Sequence, residues 1–200
     1  MTEDRSAPKF ENLLYAIGVI GALVVGLTLW AWGQPLICTC GYVKLWEGFI
    51  WSSGNSQHIA DWYSLSHVVH GMLIILLGRS PIHRLPYPVL LGVAITTGMA
   101  WEIVEHTEWV LGQFREVTIY QGYIGDSVLN AVMDYVWMWV GFFLARALAP
   151  SAVIAVILVM EITSAVLGRD CLTFTTIQFV YPLQAIDNYQ QAINPRAVAE

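Results

Sequence analysis

Charge is scarce in this chain. Charged residues make up 12% of its 200 positions, about half the ~25% of an ordinary soluble domain. Lys and Arg together number nine and the formal net charge is -6. No basic patch can form, which excludes nucleic acid as a partner. Cysteine is sparse too: Cys38, Cys40 and Cys171 are the whole set, with no Cys-x-x-Cys pair for a structural zinc. The chain has no Gly-rich phosphate loop, no dinucleotide fingerprint, no serine elbow and no HExxH. Nor does it have an internal repeat or a low-complexity tract.

What fills the chain is apolar. Hydrophobic residues reach 56% and the mean hydropathy is +0.58. Nine Trp and nine Tyr suit the two interfaces of a bilayer. The length fits one domain, residues 1–200. Residues 13–32, 61–77, 87–111, 126–149 and 150–167 are long or apolar enough to span or nearly span. The expected fold is all-α: a polytopic transmembrane helical bundle of about five spans. Residues 172–186, rich in Thr and broken by Pro182, read as an interfacial or re-entrant helix or a short sixth span. The apolar run of the first stretch exceeds the about 7–15 residues of a signal peptide core, so it reads as a retained anchor. Residues 1–8 and 194–200 read as loosely held ends.

Arg5, Lys9, Arg79, Arg84 and Arg146 would share one side, against Lys44, Arg115 and Arg169 on the other. This bias predicts a cytoplasmic N-terminus in a bacterial inner membrane. Residues 33–60 then form a Trp- and Gly-rich periplasmic connection, expected to pack on the membrane surface. Cys38 and Cys40 stand too close in sequence for an easy mutual bridge. A bridge from either to Cys171, or three free thiols, are the readings left open.

Ionisable groups inside such stretches are costly and need a partner or a task. Three clusters stand out: Ser66–His70, Trp101–His106 and Gly125–Asp134. Counting 1.5 Å per residue from the helix ends puts His67 and His70 ~9–13 Å deep. Glu105 and Glu102 fall ~9–13 Å deep, and Asn130 and Asp134 ~6–12 Å. The i,i+3 and i,i+4 spacings place each set on one helix face. Imidazoles and carboxylates at matched depth suit a divalent ion such as Zn, Mn or Fe. The expected ligands are His67, His70, Glu102, Glu105 and Asp126. Glu102, Glu105 and Asp134 are the expected acid–base groups; Asp61 is expected to orient an imidazole from behind, with Asn130 in the same supporting layer.

Blander roles compete at each position. The two histidines could hydrogen-bond neighbouring helices, and either Glu could pair with Arg115. Asp126 after Gly125 reads as an N-cap, as do Asp61 and Ser64 for the second helix. Glu161 could join the site or pair with Arg169, and Arg169 with Asp170 reads as an interface ion pair. His106 and Glu108 read as lying off the site. Gly18, Gly21, Gly26, Gly92, Gly98 and Ala100 read as close-packing positions.

The stretches CTCGYVKLWEG (38–48), WSSGNSQHIADWYSLSHVVHG (51–71), WEIVEHT (101–107), GDSVLNAVMD (125–134) and YPLQAI (181–186) resemble a family of alphaproteobacterial multi-pass inner-membrane proteins. That resemblance implies a bacterial cell-membrane location and no established activity. More loosely, Asp61, His70, Glu102, Asp126 and Asn130 are similar in order to the pattern of VanZ-like membrane proteins. Two functions follow as expectations. One is a metal-assisted hydrolase or modifier of lipid-like substrates. The other is a non-enzymatic assembly subunit or small cation-handling protein.

Overall fold

The computed structural model describes residues 7–117 and 123–193. Among them no strand forms, and the chain is a helical bundle. Helix α1 is Ala7–Ala31, α2 Trp62–Gly78, α3 Tyr87–Glu105, α4 Glu108–Val117, α5 Val128–Ala147 and α6 Pro150–Thr163. A π-helical turn, Ser164–Gly168, extends α6; α7 is Leu172–Val180 and α8 Gln184–Gln191. Four helical stretches are long and apolar enough to cross a membrane, and α2 is a shorter apolar helix. Residues 1–6 and 194–200 of the expected loose ends lie outside the described residues. Ala7 and Pro8 begin α1 instead.

Helices α2 and α5 form the centre. Their contact is backbone against backbone, because both carry glycine at the crossing. A Cβ at Gly71 would run into the Met138 carbonyl, and one at Gly141 into the Val68 carbonyl. Small residues allow this approach where lipid supplies no hydrophobic drive. Around the seam Met72, Ile75, Leu90, Leu91, Met138 and Phe142 are fully buried. Gly92 meets nothing within 4 Å, so the close-packing role expected of it is absent. The outward faces are apolar: Leu13, Ile20, Leu23 and Leu27 on α1, and Leu158, Val159 and Ile162 on α6, are all more than half exposed. Such surface is stable only against lipid or another apolar partner.

Two boundaries differ from the sequence reading. The third span stops at Glu105, not Leu111. His106 folds its ring back so that Nδ1 donates to the Glu102 carbonyl at 2.7 Å. Thr107 bonds the Val104 carbonyl through both its N–H (3.0 Å) and its hydroxyl (2.7 Å). Helix α4 restarts at Glu108. The C-terminal segment splits at Pro182 into α7 and α8. At nine and eight residues each covers ~12–14 Å, well short of a bilayer core.

The connection between α1 and α2 has two halves. Leu36, Leu45, Trp46 and Phe49 are exposed, whereas Asn55, Ser56, Gln57 and His58 are buried. The second half therefore plugs the end of the bundle rather than lying on the membrane surface. Ser56 takes a left-handed φ of 57°. This turns its N–H onto Asp61 Oδ2 at 2.8 Å and its carbonyl onto the Ser127 N–H at 3.1 Å. The free N–H groups at the start of α5 are met from the same connection, Val128 by the Pro35 carbonyl and Leu129 by the Leu36 carbonyl.

Cys38 and Cys40 are bridged to each other, and Cys171 is a buried free thiol. This corrects the expectation of a Cys171 bridge or three thiols. The turn at Gly41, with φ +83° and its N–H on the Cys38 carbonyl, brings the two Cα atoms to 5.1 Å. That separation lies inside the usual disulfide range.

Candidate functional site

All three polar clusters come to one end of the bundle. That end is built from the C-terminus of α3 and the N-termini of α2 and α5. His67 lies five residues into α2, Asp134 six residues into α5 and Glu102 three residues from the end of α3. Their levels differ by only a few Å, at ~1.5 Å per residue.

His67 joins the three helices. Its Nδ1 stands 3.3 Å from Glu102 Oε1, and its Nε2 3.8 Å from Asp134 Oδ2. The other Asp134 oxygen, Oδ1, accepts the Ser64 hydroxyl at 2.9 Å. Ser64 Oγ in turn accepts the Asp61 N–H at 3.1 Å. Asp61 caps α2, accepting from Tyr63 N–H and Ser64 N–H. Its carboxyl is fully buried. Burial is the largest cause that lifts it to about 6, against the pull of the Ser56, Tyr63 and Ser64 N–H groups. Asn130 Nδ2 holds the His58 carbonyl at 2.8 Å, so Asn130 ties the connection down and does not touch the carboxylates.

A second group sits beside the first. The Glu105 carboxyl lies against those of Glu102 and Asp126, yet no donor among the described residues reaches Glu105 Oε1 or Glu102 Oε2. Asp126 is not the N-cap of α5. Ser127 is, with its Oγ accepting the Asn130 N–H at 3.2 Å. The Asp126 side chain is thereby left for the site, where it accepts the Tyr123 hydroxyl. Burial, and then the Asp126 charge, hold the Tyr123 phenol well above its ordinary range.

His106, expected off the site, stands in the middle of it. Glu105, His106 and Asp126 each offer a ligand atom, all within 4.8 Å of one another. Yet Nδ1 donates to the Glu102 carbonyl at 2.7 Å, and Nε2 accepts the Asp126 N–H at 2.9 Å. Both ring nitrogens are committed to the backbone, so His106 shapes this group rather than donating to an ion. A signal for it was present: Thr107 followed by an acidic Glu108 is a helix-start pattern, which breaks the long third span just after His106.

Other expected pairings do not form. Arg115 reaches the Tyr123 carbonyl at 2.8 Å and Glu108 at 3.8 Å, not Glu102 or Glu105. Glu161 accepts from the N–H groups of Leu172 and Thr173 and from the Thr173 hydroxyl, and so caps α7. Arg169 lies over the Tyr189 ring at 4.6 Å. Asp170 accepts instead from Tyr63 OH and Cys171 N–H. Its carboxyl is pushed up to about 6, chiefly by burial.

These groups face a cavity of about 330 Å3. Its lining mixes the polar His67, His70, Glu105, Asp126, Asp134, Thr175 and Thr176 with the aromatic or apolar Tyr63, Trp101, Phe114, Tyr123 and Leu172. Asn55 and Ser56 of the connection also line it. His70 is half-buried in this lining, so His67, Glu105 and Asp126 face the space they were expected to share with it. Glu102 stands behind them.

Lipid-length apolar helices wrapped around a buried acidic chamber are the make-up of a polytopic helical membrane protein. Residues 29–192 match the family model described as "Protein of unknown function (DUF2585)", and the chain belongs to that family. It is 41% identical over 191 residues to a UPF0314 protein of Rhizobium meliloti (strain 1021), covering 96% of each chain. It is 41% identical over 189 residues to a UPF0314 protein of Paracoccus denitrificans (strain Pd 1222), covering 94% of this chain and 95% of that one. A UPF0314 protein of Sphingopyxis alaskensis is 40% identical over 158 residues, 79% of this chain and 84% of the relative. No solved structure matches. These relatives bear on the alphaproteobacterial resemblance; the looser VanZ-like pattern rests on its five residues alone.

Proposed function

We propose that the chamber is the centre of a metal-assisted hydrolase or modifier of lipid-like substrates in the bacterial inner membrane. In this reading the N-terminus and Arg79–Arg84 face the cytoplasm and the chamber faces the periplasm. The observation that carries it is the cavity, whose lining includes both acidic and imidazole groups and aromatic ones. An amphiphile fits such a mixed lining, its polar end meeting Glu105 and Asp126 and its apolar end Trp101 and Leu172. Buried carboxyls in contact, with no Lys or Arg among them, are held together either by shared protons or by a cation.

With His106 committed to the backbone, the donors left at the contact point are carboxylate oxygens. An all-carboxylate set suits Mn2+ and similar hard ions. Glu105 and Asp126 would hold the ion, and when bound it would supply an activated water. His67 is positioned to take a proton, flanked by Glu102 and Asp134, and Asp134 is steadied by Ser64. The aromatic side chains of the lining would keep bulk water from the bond being cut.

The test is the metal content of the protein purified in detergent and loaded with Mn2+, read by mass spectrometry and electron paramagnetic resonance. About one ion per chain is expected, lost in Glu105→Gln/Asp126→Asn. An ion-free wild type, or unchanged content in the double variant, removes the metal from the reading. The exposed Leu45, Trp46 and Phe49 favour a second reading, a non-enzymatic assembly subunit. A partner at fixed stoichiometry, undisturbed in the same double variant, would establish that reading instead.

A further inference from the structure

A second donor set lies on the connection, outside the chamber. The sulfurs of Cys38 and Cys40 and a ring nitrogen of His58 all lie within 4.8 Å of one another. Cys38 and His58 are buried, at 3% and 1% exposure, and Cys40 is exposed. The set therefore has a closed floor and one open side.

The His58 ring is fixed yet poorly satisfied. Tyr42 stacks on it with centroids 5.7 Å apart. The Lys44 N–H reaches Nδ1 only at 3.3 Å, and the buried Nε2 has no hydrogen-bond partner among the described residues. His106 is the contrast, with both nitrogens in short bonds. A buried nitrogen without a partner carries a desolvation cost that nothing in the fold offsets. A cation at His58 would displace at most one long contact. Two sulfurs and one imidazole form a soft donor set, suited to Cu+ or Zn2+ and unsuited to Mg2+ or Ca2+.

We propose that Cys38, Cys40 and His58 form a redox-gated site for a thiophilic cation, Cu+ or Zn2+. The structure shows the closed state, with the sulfurs bonded to each other. A dithiol reductant opens it. Two electrons and two protons pass to the Cys38–Cys40 bond, that bond breaks into two thiols, and the reductant becomes a disulfide. The cation then replaces the two thiol protons, which leave to solvent, and His58 completes a three-donor set. Zn2+ would add a water as its fourth ligand; Cu+ is satisfied with three. The exposed side at Cys40 gives both reductant and ion their approach.

The experiment uses the full chain in detergent, oxidised or reduced with a phosphine and freed of reductant without air. Cu+ is offered in competition with bathocuproine disulfonate, and Zn2+ with a chromogenic chelator. Reduced protein is expected to take about one ion per chain more than oxidised protein, of at least one metal. Cys38→Ser/Cys40→Ser should abolish that extra ion, and His58→Gln should weaken its binding about tenfold or more. Alkylating the thiols of reduced wild type must give the same loss, which covers a cysteine variant that fails to fold. Glu105→Gln/Asp126→Asn should leave uptake intact, so this site and the chamber stand or fall separately. Equal uptake by both redox states, no uptake of either metal by reduced protein, or unchanged affinity in His58→Gln would overturn the proposal.

Discussion

His67 and Val68 are neighbours on α2 and serve opposite regions of the molecule. The Val68 carbonyl marks the seam, where a Cβ at Gly141 would collide with it. His67 opens the chamber, where it meets Glu102 and Asp134. The same two helices thus touch along their backbones at one level and stand apart around polar side chains a turn or two away. The seam has no polar side chain to satisfy and is set by shape alone. The chamber is set by hydrogen bonds and leaves oxygens of Glu102 and Glu105 without donors.

Substitutions can break that contrast, and the seam should break hardest. Gly141→Val forces α5 away from α2 and is expected to cost about 3 kcal/mol or more. Loss of the folded fraction in a detergent unfolding titration would show it; wild-type stability would mean that the helices do not meet there. On the chamber side, Ser64→Ala removes the bond to Asp134 and the capping partner of the Asp61 N–H. The expected cost is about 1–3 kcal/mol, read in the same titration, with Ser64→Thr restoring most of it.

A third change tests the start of α7, which borders the chamber through Leu172. Glu161→Gln weakens the cap of α7 and should cost about 1 kcal/mol. Proteolysis rates at residues 172–180 should rise while the rest of the bundle stays protected.

The smallest effect is a slope. The folded state lifts the Asp170 carboxyl from 3.8 to about 6, so the folded chain holds that proton more tightly than the unfolded chain. Its contribution to stability is full below the unfolded value and is lost as pH rises through the folded one. Stability should therefore fall between about pH 4 and pH 6, and Asp170→Asn should flatten that part of the profile. An unchanged profile would place Asp170 in contact with water.

The apolar helices were legible from the sequence because length and hydropathy are local properties. So was the clustering of polar residues at one end, because a 1.5 Å rise converts position into depth. The partners within the cluster were not legible. A third span continued through Thr107 puts His106 beyond the site, and one broken helix moves every residue after Glu105. Asp126 and Ser127 are both good caps by residue type; the carbonyls of Pro35 and Leu36, far away in sequence, go with a start one residue later. The Cys38–Cys40 bridge depended on a left-handed Gly41, which spacing alone does not reveal. The packing glycines were partly misassigned because only tertiary contact separates Gly71 and Gly141 from Gly92.

The ties between the buried half of the connection and the start of α5 span long stretches of chain. Gln57 Nε2 bonds the Gly125 carbonyl across 68 positions, and Ser127 Oγ the Gln57 carbonyl across 70. A ribosome therefore releases the plug well before its sockets exist. Until the fifth helix enters the bilayer, the nascent protein carries an unsealed hydrophilic mouth. Biogenesis must shelter that mouth, and a chain arrested after the third helix should remain bound to the insertion machinery.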